Sequence, residues 1–187
     1  MNLPNKLTIV RILLTPVYLL LFCTESVPYN YIFALLVFVV AAVTDALDGR
    51  IARKNNIVTN LGKIADPIAD KILTTAVFLC FMKINLCSIW IVIIILAREF
   101  TVSAIRITSA SQGVVVPANI YGKIKTVLQM VVSILVMLAL SVEQLIGISI
   151  PYFETVTAIM LGITAFITIF SGAVYIKDSM KVIDFSE

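Results

Sequence analysis

Four aspartates are the residues of this chain whose type and spacing most clearly allow chemistry. Asp45 and Asp48 form one pair and Asp66 and Asp70 another, and both pairs lie inside or beside strongly apolar segments. A carboxylate at membrane depth is costly unless something compensates its charge, and four together repel one another. Divalent cations would remove that cost, because carboxylate oxygens are the ligands that Mg²⁺, Mn²⁺ and Ca²⁺ prefer. The pattern therefore predicts a metal site at the edge of a lipid bilayer.

Composition indicates an integral membrane protein. Of the 187 residues, 60% are hydrophobic and 13% are charged, whereas a soluble domain is about half apolar and about a quarter charged. The chain contains no histidine, which excludes a histidine-based triad, zinc site or proton relay. The net charge of +3 favours lipid head groups over nucleic acid as a partner. Three cysteines without CxxC spacing are interpreted as packing thiols.

The apolar segments predict an all-α protein, a single membrane-embedded domain over residues 1–187 with six transmembrane helices of about 20 residues each. Pro28 and the segments Gly113–Pro117 and Gly147–Pro151 mark breaks. The first helix is interpreted as retained rather than as a cleaved signal peptide, because Arg11 interrupts its apolar run. The predicted spans are about Leu7–Phe22, Tyr31–Arg53, Lys63–Lys83, Ser88–Thr108, Tyr121–Leu140 and Tyr152–Lys177.

The distribution of lysine and arginine predicts the orientation. With a cytoplasmic N-terminus, 13 of the 14 basic residues fall at cytoplasmic helix ends and loops, and Lys83 alone falls outside. The same orientation puts all four aspartates on the cytoplasmic side. We therefore expect a multi-pass protein of the cell membrane whose active site faces the cytoplasm.

The second predicted helix carries carboxylates and very small residues on one face. At about 100° per residue, Asp48, Gly49 and Ala52 all lie within about 60° of Asp45, and Arg53 lies about 80° away. Small residues let a ligand approach the backbone closely, so this face could hold a metal and a flat base, with Arg53 near a phosphate. The alternative is a small-residue face for helix packing, which leaves the aspartates unexplained.

The third predicted helix presents Asp66 and Asp70 one turn apart on one side. Pro67 suits the first turn of a helix, so an alternative is that Asp66 is an N-cap rather than a ligand.

Together these residues resemble the signature of the CDP-alcohol phosphotransferases. Eight residue types match over 26 positions, Asp45-x2-Asp48-Gly49-x2-Ala52-Arg53-x8-Gly62-x3-Asp66-x3-Asp70. The resemblance implies the fold of that family and two divalent cations, Mg²⁺ or Mn²⁺, held by the four aspartates, with Asp70 also the general base. It further implies a CDP-linked donor bound near Gly49, Ala52, Arg53, Thr59 and Gly62. Homodimers are common in that family, and this sequence does not decide the matter.

Other residues resemble members of the family that use an anionic acceptor. These are the opening Asn2-Leu-Pro4-Asn5-Lys-Leu-Thr8-x2-Arg11, the pair Arg98-Glu99, and Lys123 after Tyr121-Gly122. The resemblance implies transfer of a phosphatidyl group from CDP-diacylglycerol to sn-glycerol 3-phosphate. Thr8 and Arg11 are predicted to bind a phosphate of donor or acceptor.

The acceptor phosphate is predicted to contact Arg98, Arg106 and Lys123, because arginine forks suit a phosphate monoester. For Arg106 and Lys125 the alternative is that they anchor the protein to lipid head groups. Arg98 lies beside Glu99 in an apolar helix, and such a pair is usually internal rather than lipid-facing.

Three other functions remain open at this point. The nearest is the same enzyme class with serine, inositol phosphate or an amino alcohol as acceptor. A cation transporter could use intramembrane aspartates, but its carboxylates should lie near the membrane midplane. A structural assembly protein would leave the aspartate cluster unexplained.

Overall fold

The computed structural model describes the backbone of residues 3–55, 60–113 and 119–180, and the side chains of residues 8–44, 68–69, 71–113 and 119–180. Within that part every regular element is a helix, which confirms the all-α prediction. The six helices are α1 (Leu3–Cys23), α2 (Asn30–Asn55), α3 (Asn60–Lys83), α4 (Ile89–Ser111), α5 (Ile120–Ile146) and α6 (Phe153–Ser179).

The predicted helix ends agree with the structure to within about three residues, with two larger differences. Helix α1 begins at Leu3 rather than near Leu7, and α5 continues to Ile146 rather than ending near Leu140. Hydropathy falls after Leu140, but nothing breaks the helix before Gly147, which ends it with a left-handed φ of 71°. The fall in hydropathy therefore predicted the end of α5 too early, because the left-handed backbone at Gly147 determines where this helix ends.

Local hydrogen bonds fix the starts of α4 and α5. The hydroxyl of Ser88 accepts from the backbone N–H of Trp90, and the side chain of Asn119 accepts from the N–H of Tyr121 at 3.0 Å. Both are N-cap contacts that satisfy backbone donors left over by the first helical turn. The cap at Asn119 determines where α5 begins, and hence where Lys123 and Lys125 lie.

Side-chain contacts show the relative directions of the helices: α1 and α3 end together and so run in the same direction, whereas α5 ends where α2 begins and these two run in opposite directions. At one end, Lys83 of α3 donates to the carbonyl oxygen of Cys23 of α1, and Gln144 of α5 donates to Asn30 of α2. At the opposite end lie the starts of α3 and α5 and the last turns of α4 and α6. We call this opposite end the polar end, because buried charged groups gather there.

The main apolar core lies away from the polar end, mostly between α1, α2, α3 and α5, and Val92 and Ile95 of α4 and Leu161 of α6 also contribute to it. It is rich in aromatic rings with centroids 5.1–6.3 Å apart, among them those of Tyr18, Phe22, Phe38 and Phe81. Cys80 and Cys87 are buried in it, and the described cysteines are free thiols, as predicted. Burial raises the pKa of the Cys87 thiol, in the connection between α3 and α4, to about 11, so it stays protonated at neutral pH.

The exposed faces of the helices are apolar as well. In the described part, α5 and α6 are long and apolar enough to cross a membrane, while α1 and α2 contain the shorter apolar stretches Thr8–Cys23 and Asn30–Thr44. A helix at a water interface would turn polar residues outward. Here large apolar side chains are exposed on all six helices, including Leu13, Leu20, Leu36, Val40, Ile68, Leu79, Trp90, Phe100, Val127, Leu135, Ile159 and Phe166.

Candidate active site

The four predicted metal ligands lie on two consecutive helices. Asp45 and Asp48 are in the second half of α2, and Asp66 and Asp70 are in the first half of α3. Their side chains lie outside the described residues. Helix α3 begins at Asn60, so Asp66 is in its interior, and the alternative that Asp66 caps the helix is wrong.

The predicted nucleotide contacts lie on the same two helices. Gly49, Ala52 and Arg53 belong to α2 and Gly62 to α3, but their side-chain positions lie outside the described residues. Thr59 also lies outside the described residues. Their roles stay predictions from the sequence.

Thr8 and Arg11, the predicted phosphate contacts, are both buried, with 1% of each residue exposed. They are three residues apart on α1 and so lie on the same face of the helix. The hydroxyl of Thr15, one turn further on, donates to the carbonyl oxygen of Arg11 at 3.2 Å. A buried guanidinium must be compensated by charge or hydrogen bonds, which points to a polar surrounding for this face of α1.

A cluster of charged residues joins α3, α4 and α5, about halfway along α3 and α4 and near the start of α5. We call it the Glu99 cluster, and it consists of Lys71, Arg98, Glu99, Ser103 and Lys125. Arg98 Nη1 donates to Glu99 Oε1 at 2.9 Å, and Lys125 Nζ donates to the same oxygen. Lys71 Nζ donates to Ser103 Oγ and lies 3.5 Å from the main-chain oxygen of Glu99. The prediction that Arg98 and Glu99 form an internal charge pair is confirmed.

The Glu99 cluster contains three cations and one carboxylate. Side-chain exposures of 5% for Lys125, 12% for Arg98 and 18% for Glu99 show that the shared carboxylate is mostly removed from solvent. Cations in such surroundings favour an anion nearby. Among the described residues the cluster therefore has an excess of positive charge suited to an anionic ligand.

One side of the Arg98 guanidinium has unused hydrogen-bond donors, and its Nε atom is buried. Nη1 is used by Glu99, whereas Nε and Nη2 make no hydrogen bond to a described residue. The Nε and Nη2 protons point in parallel and can bind two oxygens of a phosphate or carboxylate together. The aliphatic part of Arg98 also borders a lateral cleft of about 320 Å³ between α4 and α6, whose other walls include Ala97, Thr101, Ile169 and Gly172.

The other two predicted acceptor contacts lie apart from the Glu99 cluster. Arg106, eight residues after Arg98, is about 12 Å further along α4 at 1.5 Å per residue. Its Nε donates to the hydroxyl of Tyr175 at 3.3 Å, and its guanidinium carbon lies 5.6 Å from the centre of that ring. Lys123 is exposed on the first turns of α5. The structure thus brings Arg98 together with Lys125 and holds Arg106 against α6.

Lys125 and Lys71 were not predicted as site residues. The alternative that Lys125 anchors lipid head groups is wrong, since the residue is 4% exposed and bound to Glu99. One signal was available: Lys123 and Lys125 are two residues apart, hence about 200° apart around the helix, so both could not face outward. No comparable signal identifies Lys71, because its partners on α4 are 28 and 32 residues away.

Comparison with known proteins gives consistent results. A profile of the family described as CDP-alcohol phosphatidyltransferase matches residues 1–170. A Bacillus subtilis (strain 168) protein named CDP-diacylglycerol–glycerol-3-phosphate 3-phosphatidyltransferase is 36% identical over 97% of each chain. A protein of the same name from Rickettsia bellii (strain RML369-C) is 42% identical over 96% of each chain.

A more distant relative has a related name. The Mycobacterium tuberculosis (strain ATCC 25618 / H37Rv) protein named probable phosphatidylglycerophosphate synthase is 29% identical over 96% of this chain and 82% of its own length. The matches therefore extend over nearly the whole chain rather than over the aspartate region alone.

Proposed function

The chain belongs to the CDP-alcohol phosphatidyltransferase family, and from that premise we propose that it transfers the phosphatidyl group of CDP-diacylglycerol to sn-glycerol 3-phosphate, which yields phosphatidylglycerophosphate and CMP. The relatives in Bacillus subtilis and Rickettsia bellii carry the name of that activity. The observation that carries the proposal in the structure is the Glu99 cluster, in which Arg98 and Lys125 bind the carboxylate of Glu99 and Lys71 lies beside its main-chain oxygen. A phosphorylated acceptor requires such a pocket, whereas serine or an amino alcohol does not.

The acceptor phosphate is proposed to bind at the Nε and Nη2 edge of Arg98, with Lys123, exposed on the first turns of α5, as a second contact. Arg106, about 12 Å further along α4 and held by Tyr175, would attract the anionic acceptor rather than contact the same phosphate. An Arg fork fixes both the position and the orientation of a phosphate. The start of α5 adds partial positive charge, because its backbone N–H groups point out of the helix. The acceptor would thereby be held by its phosphate, with its primary hydroxyl free to react.

Two divalent cations, Mg²⁺ or Mn²⁺, are proposed to be held by Asp45, Asp48, Asp66 and Asp70. The donor set fits them, since it consists of four carboxylates and hard cations prefer oxygen ligands. The described residues, which do not include the side chains of these aspartates, contain no group of three or more potential metal ligands. When bound, the cations would supply polarisation of the donor diphosphate and stabilisation of the charge on departing CMP.

The protein residues have simple roles in the proposed reaction. Asp70 accepts the proton of the acceptor hydroxyl, whose oxygen forms a bond to the β-phosphorus of CDP-diacylglycerol while the bond from that phosphorus to CMP breaks. Gly49 and Ala52 leave room for the cytidine, and Arg53, Thr59 and Gly62 lie near the nucleotide or diphosphate. Thr8 and Arg11 bind a phosphate of donor or acceptor. Such transfers depend on positioning and charge neutralisation rather than on covalent catalysis by the protein.

The proposed setting is the cell membrane, with all six helices crossing it, the N-terminus in the cytoplasm and the polar end facing the cytoplasm. The exposed apolar side chains on all six helices support this placement, because lipid rather than water would then surround them. The 13-to-1 division of basic residues supports the orientation. In this orientation the aspartate segments and the Glu99 cluster are on the side where soluble phosphorylated metabolites occur.

An acceptor panel tests the proposal. Purified protein in detergent or vesicles is supplied with CDP-diacylglycerol and Mg²⁺ or Mn²⁺, and with radiolabelled glycerol 3-phosphate, serine, inositol phosphate or ethanolamine. The expected result is label in lipid, together with CMP release, for glycerol 3-phosphate. Incorporation of another acceptor at a higher kcat/KM would keep the enzyme class and overturn the proposed acceptor.

A further inference from the structure

Arg98 passes between two glycines on neighbouring helices. A Cβ atom at Gly172 of α6 would lie 3.0 Å from Arg98 Cγ, and a Cβ atom at Gly122 of α5 would lie 3.2 Å from Arg98 Nη2. Carbon atoms in favourable contact are about 3.5–4.0 Å apart. An alanine at position 172 would therefore push on the stem of Arg98, and an alanine at position 122 would push on its guanidinium.

The guanidinium has little freedom to move elsewhere. Its Nη1 is bound to Glu99 Oε1 at 2.9 Å, and that oxygen is also held by Lys125. The absence of a Cβ atom at Gly172 and Gly122 leaves the space in which the stem and Nη2 of Arg98 lie, while Glu99 binds Nη1. The orientation of the unbound Nε and Nη2 edge is thus determined jointly by Glu99, Gly122 and Gly172.

We propose that Gly122 and Gly172 are positioning residues that set the affinity for the anionic acceptor by holding the Arg98 fork in its binding orientation. This inference rests on the proposed function, because it concerns the same acceptor site. Neither glycine touches the reacting atoms, and each acts through Arg98. A fork binds two oxygens at once only when both N–H groups are aligned, and a site must be held within about 0.5 Å to be productive.

The structure offers a matched control on the same helix as Gly172. A Cβ atom at Gly162 of α6 would meet no atom within 4 Å. Gly162→Ala and Gly172→Ala therefore make the same chemical change in the same helix, ten residues apart, with and without a collision with Arg98. A general effect of removing a helical glycine should appear in both variants. An effect that acts through Arg98 should appear in Gly172→Ala alone.

The experiment measures kcat and the KM of each substrate for Gly122→Ala, Gly172→Ala and Gly162→Ala, with the midpoint of thermal unfolding for each. We expect Gly172→Ala to raise the KM for glycerol 3-phosphate about 5- to 50-fold, which is part of the value of a charge-assisted contact. The KM for CDP-diacylglycerol should change less than about 2-fold. Gly122→Ala should also raise the KM for glycerol 3-phosphate, and Gly162→Ala should change the KM of neither substrate.

A double-mutant cycle separates positioning from packing. In an Arg98→Ala background, Gly172→Ala should have no further effect on the KM for glycerol 3-phosphate, because its collision partner is absent. Equal effects of Gly172→Ala with and without Arg98 would overturn the inference, as would equal rises in both KM values. If Gly172→Ala does not fold, the same double-mutant cycle with Arg98→Ala is measured with Gly122→Ala in its place, and the same outcomes apply. An uncharged acceptor in the acceptor panel would overturn both the proposed function and this inference, whereas equal KM effects with glycerol 3-phosphate established as acceptor would overturn the inference alone.

Discussion

Lys71 Nζ on α3 lies 3.5 Å from the main-chain oxygen of Glu99 on α4. This contact joins the helix that carries two of the predicted metal ligands to the helix that carries Arg98. Lys71 also donates to the hydroxyl of Ser103, which in turn donates to the same Glu99 oxygen at 2.7 Å. The proposed metal and acceptor sites are therefore linked by a hydrogen-bonded ammonium group rather than by apolar packing alone.

Replacing Lys71 with methionine should weaken this link while keeping the length of the side chain. Hydrogen bonds of charged groups contribute about 1.5–3 kcal/mol, and Lys71 is partly exposed, so we expect a loss of about 1–2 kcal/mol in the free energy of unfolding. Unfolding by denaturant in detergent measures it. Lys83→Met is the control on the same helix, since Lys83 is exposed and bound to Cys23 at the other end. Equal losses in both variants would contradict a special role for Lys71.

Glu99→Gln should be more destabilising than Lys71→Met. The substitution keeps the shape but removes the charge that pairs with Arg98 and Lys125, both of which are mostly buried. Breaking a buried ion pair on one side costs about 3–5 kcal/mol. The measurement is again denaturant unfolding, with the exposed Glu154→Gln as control. A stability within experimental error of the unmodified protein would show that other groups neutralise Arg98 and Lys125.

Arg98 and Lys123 test the acceptor assignment. Arg98→Ala and Lys123→Ala should raise the KM for glycerol 3-phosphate about 10- to 150-fold, because one charge-assisted phosphate contact contributes about 1.5–3 kcal/mol. The KM for CDP-diacylglycerol should change less. Arg106→Ala should give a smaller rise, since its Nε already donates to Tyr175. Lys177→Ala, which removes an exposed charge at the same end, is the control.

A conservative substitution tests whether the shape of the Arg98 guanidinium matters as well as its charge. Arg98→Lys keeps the charge but loses the fork, so it should recover little of the acceptor affinity. If the two substitutions affected donor affinity alone, Arg98 and Lys123 would belong to the CDP-diacylglycerol site instead.

The sequence predicted the helices well because apolar length and Gly or Pro breaks are local properties. It also predicted the Arg98–Glu99 pair, since an ion pair of neighbours in an apolar segment needs no knowledge of other helices. It could not predict that Lys125 and Lys71 join that pair, because periodicity gives the angle around one helix but not the axial register between helices. The role of Gly122 and Gly172 depends on the same register, and glycine in an apolar helix indicates close approach without naming the partner.

Removal of divalent cations should abolish turnover. Four carboxylates on α2 and α3 repel one another without a counter-ion, so we expect EDTA to stop CMP release and Mg²⁺ or Mn²⁺ to restore it. The measurement is CMP release at fixed CDP-diacylglycerol and glycerol 3-phosphate across a cation titration, with Na⁺ at matched ionic strength as control. Full turnover in chelator would contradict the proposed metal requirement.

The four aspartates should not be equivalent when each is replaced. Asp45, Asp48 and Asp66 are proposed as ligands, so Asp45→Asn should weaken metal binding and turnover together. Asp70 is proposed to have a second role, because the acceptor hydroxyl must lose its proton during attack. Asp70→Asn keeps the size and one ligating oxygen but removes the base. It should therefore lower kcat by about 10²–10⁴, the usual contribution of a positioned base.

The distinction between ligand and base is measured by titrating metal and donor beside turnover for Asp70→Asn and Asp45→Asn. In Asp70→Asn the affinities for Mn²⁺ and CDP-diacylglycerol should change much less than kcat, whereas in Asp45→Asn the loss of turnover should be largely recovered at high metal. If Asp70→Asn kept a near-normal kcat at saturating metal, Asp70 would be a ligand alone and the proton would leave by another route.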